Sequence, residues 1–244
     1  RDFCLSRGLG DVYKRQAIDW LVPFAIYENR RSMKMDFWDE SWSAIDKSRL
    51  REYITRKEEP DEMIEYLLCQ NAKVVCDAGC GCGAYTLRLL RHGFDVSGFD
   101  VAGSAVEIAE RLIQGAGKSA KLKTASVLQT GYQENEFDAV VSRDVLDHMR
   151  KADAKHAVRE LYRITKPGGT LLFTLDGMDE EYEQEPHCVT EEGDYLFESG
   201  KWEGMVFHPY RRDEVPEIID TKAKVQIKDM PDGLLVLLKK KSVG

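Results

Sequence analysis

"CDAGCGCGAYTLRLLRHGFDVSGFD", residues 76–100, sets three cysteines and three glycines into one loop, and the fold depends on which set the loop was built for. Taken as metal ligands, Cys76, Cys80 and Cys82 have the spacing C-x3-C-x-C. Tetrahedral zinc sites usually draw on paired C-x2-4-C ligands with a second pair elsewhere. Cys69 and Cys188 could complete a set, but neither lies in such a pair, and Cys76 falls in an apolar run where a thiol is a small core side chain. No metal is expected. The glycines point elsewhere. Gly79, Gly81 and Gly83 stand between a strand and a helix, where glycine permits a sharp turn and lets backbone N–H groups approach a ligand with no Cβ in the way. The helix starting near Ala84 aims its partial positive end at the same spot, favouring a carboxylate or phosphate. Asp100 then closes the next strand, 17 residues after Gly83, where an acid accepts hydrogen bonds from ribose hydroxyls. The loop is expected to bind a nucleoside.

Outward from this stretch, helices and strands alternate. Residues 33–70 read as helical, with Trp42, Ile45, Leu50, Tyr53 and Ile54 at mixed three- and four-residue spacings. Pro60 suits the first turn of a second helical run carrying Met63, Ile64, Leu67 and Leu68. "KVVCD" and "FDVSGFD" are strands flanking the helix "AYTLRLLRHG", which Gly93 closes. "SAVEIAERLIQ" is a helix with Ser104 as N-cap and Glu107 at capping-box spacing. "AKLKTAS" and "FDAVVS" are strands, "DAKHAVRELYRIT" a helix, "KPGG" a turn and "TLLFTLD" a strand. Such alternation predicts parallel pairing and a doubly wound α/β sheet. The remainder breaks the rhythm, with a hairpin around 191–193, a turn near 199–200, a short helix in "RRDEVPEIID" and a closing antiparallel pair turning at 231–233.

The bulk numbers narrow the partners. At 244 residues, 43% hydrophobic and 32% charged, the chain suits one sizeable α/β domain, and no apolar run approaches the roughly 20 residues that span a bilayer. The formal charge is −8, without the dense basic stripe of a nucleic-acid binder, so a small-molecule acceptor is expected, with no nucleic acid and no membrane. Six cysteines do not make a disulfide framework, and no apolar signal core is present, which favours a cytoplasmic protein. Residues 1–16 resemble an adapter-derived tail and are set apart from the fold. Residues 17–71 then form an N-terminal helical cap and 72–244 the main domain, with 177–212 as a substrate-side insertion.

Two nucleosides compete. Gly79-x-Gly81-x-x-Ala84 also satisfies the dinucleotide fingerprint, which would make an NAD-dependent oxidoreductase. Against it, some 40 residues of helix precede the loop, no second catalytic domain follows, and the closing antiparallel pair does not suit a dinucleotide fold. "VVCDAGCGCGAYTLRL", "VSGFDVAGSAVEIAERL", "FDAVVSRDVLDHM" and "LYRITKPGGTLLF" together resemble the class I S-adenosylmethionine-dependent methyltransferases of the small-molecule type, over about residues 72–176. The resemblance implies a seven-stranded, Rossmann-like sheet with six parallel strands and one antiparallel, an N-terminal helical lid and a β-hairpin insertion after the fifth strand. It implies S-adenosyl-L-methionine as cofactor, with Asp77, Gly79, Cys80, Gly81 and Gly83 around its methionine part. Asp100 falls at the ribose acid and Val101 at the apolar neighbour of adenine. Ser126 and Val127 fall where many members carry an acid followed by an apolar residue near the adenine amine, and serine departs from that pattern. Arg143 follows the fourth strand, facing cofactor or substrate.

Other residues carry double readings. Asp77 could instead cap the glycine loop, and Asp100 could be a strand-end turn residue. His148 could be a base, a substrate contact or a helix-start residue; His208 and Tyr210 in "FHPY" could reach substrate or pack. Trp38, Trp42 and Tyr53 could form a lid or simply be buried. The run "DEEYEQE" is a solvated loop. Methyl transfer relies on alignment in a dry cleft, so no single catalytic residue is required. A non-catalytic, cofactor-binding partner protein is the other rival, because one scaffold serves many functions.

Overall fold

The computed structural model describes residues 37–45, 50–55 and 59–242. Three short helices, α1 (Phe37–Ser43), α2 (Leu50–Thr55) and α3 (Glu62–Cys69), precede the sheet. The main domain continues as β1 (Val74–Ala78), α4 (Ala84–Arg91), β2 (Asp95–Asp100), α5 (Gly103–Gly115), β3 (Lys121–Thr124), β4 (Phe137–Ser142), α6 (Lys151–Ile164) and β5 (Thr165–Asp176). The insertion holds α7 (Glu180–Gln184), β6 (His187–Val189), β7 (Tyr195–Phe197) and β8 (Val206–Phe207). The chain then forms α8 (Val215–Ile218), β9 (Lys224–Met230) and β10 (Gly233–Lys239). The expected tail at 1–16 and the cap from 17 to 36 lie outside the described residues.

Seven strands pair in the order β3-β2-β1-β4-β5-β10-β9. β3, β2, β1, β4 and β5 are parallel, while β10 runs antiparallel to both β5 and β9. Six strands therefore share one direction and β10 opposes them. Val75, Cys76 and Ala78 of β1 have no exposed surface, because helices cover both faces of a parallel sheet. One face packs Met63, Ile64 and Leu67 of α3 and Leu89 of α4 against Val75, Val141 and Leu172. The other packs Ala157, Val158 and Leu161 of α6 and Ile218 of α8 against Cys76, Val140 and Phe173. The register aligns Asp77 with Gly98, so the carboxyl ends of β1, β2 and β4 leave the sheet along one edge. Chain order reverses about β1, the position where open α/β sheets leave a crevice for ligands.

Some local expectations give way to tertiary contacts. The Ser104–Glu107 capping box does not form: α5 begins at Gly103 with Ala102 in the cap position. Its first turn is held from α1 instead, where Asp39 Oδ1 accepts from Ser104 N at 2.8 Å and the Asp39 carbonyl accepts from Ser104 Oγ at 2.8 Å. At α3 the cap is Asp61, which accepts from Ile64 N at 3.0 Å, so Pro60 stands before the helix and not in it. "KPGG" is drawn into β5 as a bulge. Thr165 pairs with Phe137 and Thr170 with Ala139, so residues 166–169 loop out opposite Asp138. The insertion exceeds a hairpin: β8 adds a third antiparallel strand, and Tyr182, Phe197, Trp202, Met205 and Phe207 form a separate small core.

Candidate functional site

The glycine loop is pinned from below. Gly79 N and Cys80 N both donate to the Phe99 carbonyl, at 2.8 and 2.9 Å. Gly79, Gly81 and Gly83 have φ of +76°, +51° and +81°. Space is as restrictive as torsion: a Cβ on Gly79 would lie 2.3 Å from Val145 Cγ2, and one on Gly83 would lie 2.7 Å from Ala109 Cβ. The loop therefore descends onto both the β4–α6 connection and α5. Asp100, 8% exposed, accepts from Gly81 N through Oδ2 and from Ala102 N through Oδ1, both at 2.9 Å. Loop capping thus falls to Asp100, while Asp77 turns to α4. Each Asp100 oxygen keeps a second acceptor position. Burial raises the Asp100 carboxyl above its ordinary value, against the backbone amides of Ala102, Gly81 and Val101, which favour its charge.

Asp77 accepts from Thr86 Oγ1 at 2.6 Å. Burial pushes its carboxyl up to about 6, against the pull of Thr86 and Arg143. The folded protein thus holds this proton more tightly than the unfolded chain, so stability declines as pH rises from about 4 through 6. Asp77→Asn keeps an oxygen for Thr86 and removes the charge. We expect the variant to be about 1 to 3 kcal/mol more stable than the wild type at pH 8 and no more stable at pH 4, in denaturant unfolding. An equal difference at both values would exclude the buried charge as the cause.

Beyond β2 and β3 the surface is apolar and open. Val101 is 59% exposed and Leu128 45%. Ser126 Oγ accepts from Leu128 N at 3.1 Å, closing a local turn. Val127 packs into the main core, and Leu128 is the exposed apolar side chain on that edge. Sequence reading missed Leu128, since nothing distinguished it from its buried neighbour.

The opposite side carries the aromatic residues. Trp42 of α1 lies over the loop, its Cζ2 2.8 Å from where a Gly81 Cβ would be. Trp38 meets the His148 ring edge-on at 4.9 Å and 78°, and Phe207 of the insertion lies 5.5 Å from the same ring. His148 Nδ1 is buried without a hydrogen bond to a described residue. Burial lowers the His148 pKa, with Asp176 and Asp144 opposing, so the imidazole is neutral at pH 7. Arg143 stacks 4.5 Å over Tyr85, whose hydroxyl donates to Asp61 Oδ1 at 3.0 Å. Tyr53 stands half-buried on α2. His208 and Tyr210 lie elsewhere, 1% and 4% exposed. His208 Nδ1 is 2.9 Å from Asp194 Oδ1, and the Tyr210 ring packs 4.4 Å from the imidazole. They hold the root of the insertion to the main domain.

The cysteines fill space. Burial lifts the Cys76 and Cys80 thiols well above their ordinary value and Cys82 to about 11. Among the described residues no group of three or more His, Cys, Asp or Glu could hold a metal ion, and no helix is long and apolar enough to cross a membrane.

Comparison with known proteins agrees with this geometry. Residues 76–173 match a family model described as a methyltransferase domain. Phosphoethanolamine N-methyltransferase 3 of Arabidopsis thaliana is 29% identical over 114 residues, covering 46% of this chain and 23% of the relative. The ubiquinone biosynthesis O-methyltransferase of Pseudomonas entomophila is 31% identical over 104 residues, 42% of this chain and 44% of the relative. A tRNA (carboxymethyluridine(34)-5-O)-methyltransferase of Arabidopsis thaliana is 32% identical over 112 residues, 46% of this chain and 26% of the relative. The chain spans less than half the length of these curated relatives. In three dimensions, a crystal structure of an S-adenosylmethionine-dependent methyltransferase from Methanosarcina mazei superposes with a TM-score of 0.63 at 20% identity, over 76% of this chain and 100% of the other. Glycine loop, strand-end acid, sheet order and family match converge: residues 76–173 match a methyltransferase domain, and the sheet around them has the fold of S-adenosylmethionine-dependent methyltransferases.

Proposed function

We propose that the protein transfers a methyl group from S-adenosylmethionine to a small-molecule acceptor. The observation that carries this reading is Asp100, which grips the glycine loop and the start of α5 while keeping acceptor capacity on both oxygens beside the exposed Val101. Ribose hydroxyls fit the carboxylate, and an adenine fits between Val101 and Leu128. The methionine part falls to the backbone of the Gly79–Gly83 bend. S-adenosylmethionine, when bound, supplies an activated methyl on a sulfonium. The chain's own residues exclude water and align the partner: Trp42 and Trp38 cover the cleft, and the insertion closes its far side through Phe207. The neutral His148 imidazole takes a proton from an acceptor that must lose one.

Two of the curated relatives are named for phosphoethanolamine and for ubiquinone biosynthesis, which supports a small acceptor. The net charge of −8 supports it over the tRNA of the third. The oxidoreductase reading has no support: the matched family model is a methyltransferase domain, and β9 and β10 complete a sheet of methyltransferase order. The test begins with melting temperature. S-adenosylhomocysteine should raise it and NADH should not. Labelled methyl donor is then offered with a panel of amines, phenols and carboxylates, and separately with bulk tRNA. Label should enter a small acceptor, with His148→Ala slowing turnover and leaving S-adenosylhomocysteine affinity unchanged. Label entering tRNA alone, or a response to NADH alone, overturns the proposal.

A further inference from the structure

Residues 143–150 join β4 to α6 with no helix or strand of their own, and His148 stands near the end of this connection. No bond to its Nδ1 aims the imidazole: that nitrogen is buried without a hydrogen bond to a described residue, while Trp38 and Phe207 pack on the ring. Its direction is set by the backbone beneath it. That backbone is anchored at the β4 end, where Asp144 N donates to Thr174 Oγ1 of β5 at 2.9 Å. At the α6 end the local chain supplies no cap: Arg150 holds the cap position, and its side chain makes no capping bond. Asp194, 43 residues after Lys151, provides one from the insertion, its Oδ1 accepting from Lys151 N at 2.9 Å. A carboxylate on the first amide of a helix is favoured by the bond and by the helix dipole together. The same oxygen lies 2.9 Å from His208 Nδ1, and His208 N donates to the Asp147 carbonyl at 2.7 Å. Asp194 thus acts on the residue before His148 and on the third residue after it. Thr190 fixes the carboxylate in turn, donating to Oδ2 at 3.3 Å and accepting from Asp194 N at 3.0 Å. Asp194 and His208 are each 1% exposed, so solvent does not replace a bond lost there. The small core of the insertion includes neither residue. Both serve the junction.

We infer that Asp194 is a positioning residue for the proposed methyl transfer: acting through Lys151 N and His208, it fixes the turn that presents His148 to the acceptor. The inference rests on the reading of His148 as the base. NMR titration of the full chain reads His148 directly, with His148→Ala assigning its signal. In the wild type His148 should titrate below the ordinary histidine value, because burial outweighs the opposing charges of Asp144 and Asp176. Asp194→Ala should raise it toward that value, as a loosened turn lets water reach the ring. The direction separates this from a charge effect, since loss of a nearby carboxylate alone would lower it further. Asp194→Asn keeps an acceptor oxygen without the charge and should titrate as the wild type does. Turnover of labelled S-adenosylmethionine with the panel of amines, phenols and carboxylates should fall about 10- to 100-fold in Asp194→Ala, with KM for the donor changing less than about 3-fold. Thr190→Val, which only frees the carboxylate, should move both readings the same way by less, and keeps the test open if the alanine variant does not fold. An Asp194→Ala protein that melts lower yet keeps the wild-type titration and turnover would leave Asp194 a helix cap and nothing more. A lowered His148 value, or an asparagine variant as impaired as the alanine one, would also overturn the positioning. A wild type that binds no S-adenosylhomocysteine would overturn the methyl-transfer reading beneath it, whatever the titration shows.

Discussion

Asp100→Ala should weaken S-adenosylhomocysteine binding by about 2 to 3 kcal/mol and also lower the melting temperature of the free protein. Two separate roles meet in this carboxylate. It accepts from Gly81 N and Ala102 N at 2.9 Å each, and in the alanine variant both buried amides lose their partner, whether or not ligand is present. The proposed ribose contacts form only in the complex. Asp100→Asn separates the roles, because its single carbonyl oxygen can serve one amide while the charge is gone. It should recover part of the stability and little of the affinity. An Asp100→Ala protein that melts lower yet binds with unchanged affinity would leave the residue as a loop clamp alone and remove the ribose assignment.

Gly83→Ala should destabilise the fold by about 3 kcal/mol, a large share of the 5 to 15 kcal/mol typical of a domain. Its φ of +81° disfavours any side chain, and the added carbon would sit 2.7 Å from Ala109 Cβ and 2.9 Å from Ala109 Cα on α5. The second of these is backbone and cannot swing aside. Gly93→Ala supplies the control: φ is +88° there too, but nothing lies within 4 Å of the new carbon. It should cost about 1 kcal/mol, from torsion alone. The difference between the two variants in denaturant unfolding measures the steric part. Similar values would mean that α5 yields and that the close approach of loop and helix is not rigid.

What could be read from the sequence was whatever the chain specifies over short range. β1, α4 and β2 follow from the switch between a buried apolar run, three- and four-residue spacing and a second apolar run. The glycine loop and Asp100 follow because both lie on that same continuous stretch. Contacts across long separations left no such mark. Ser104 followed by Glu107 has the pattern of a capping box, yet the bonds go to Asp39, 65 positions earlier. Leu128 is exposed and Val127 buried because the turn closed by Ser126 rotates the chain, which alternation of residue types does not reveal. His208 has the composition of a site residue, but its ring is spent on Asp194 inside the protein. Thr86 was open to sequence reading, since the first full turn of α4 follows directly on the loop and meets Asp77 at the end of β1.

The short helix α1 joins the cover of the glycine loop to the footing of α5. The helix whose Trp42 covers the loop also grips the beginning of α5 through Asp39, twice. Any displacement of α1 that uncovers the loop must therefore break both bonds that anchor the start of α5, so the cover over the glycines and the footing of the next helix stand or fall together.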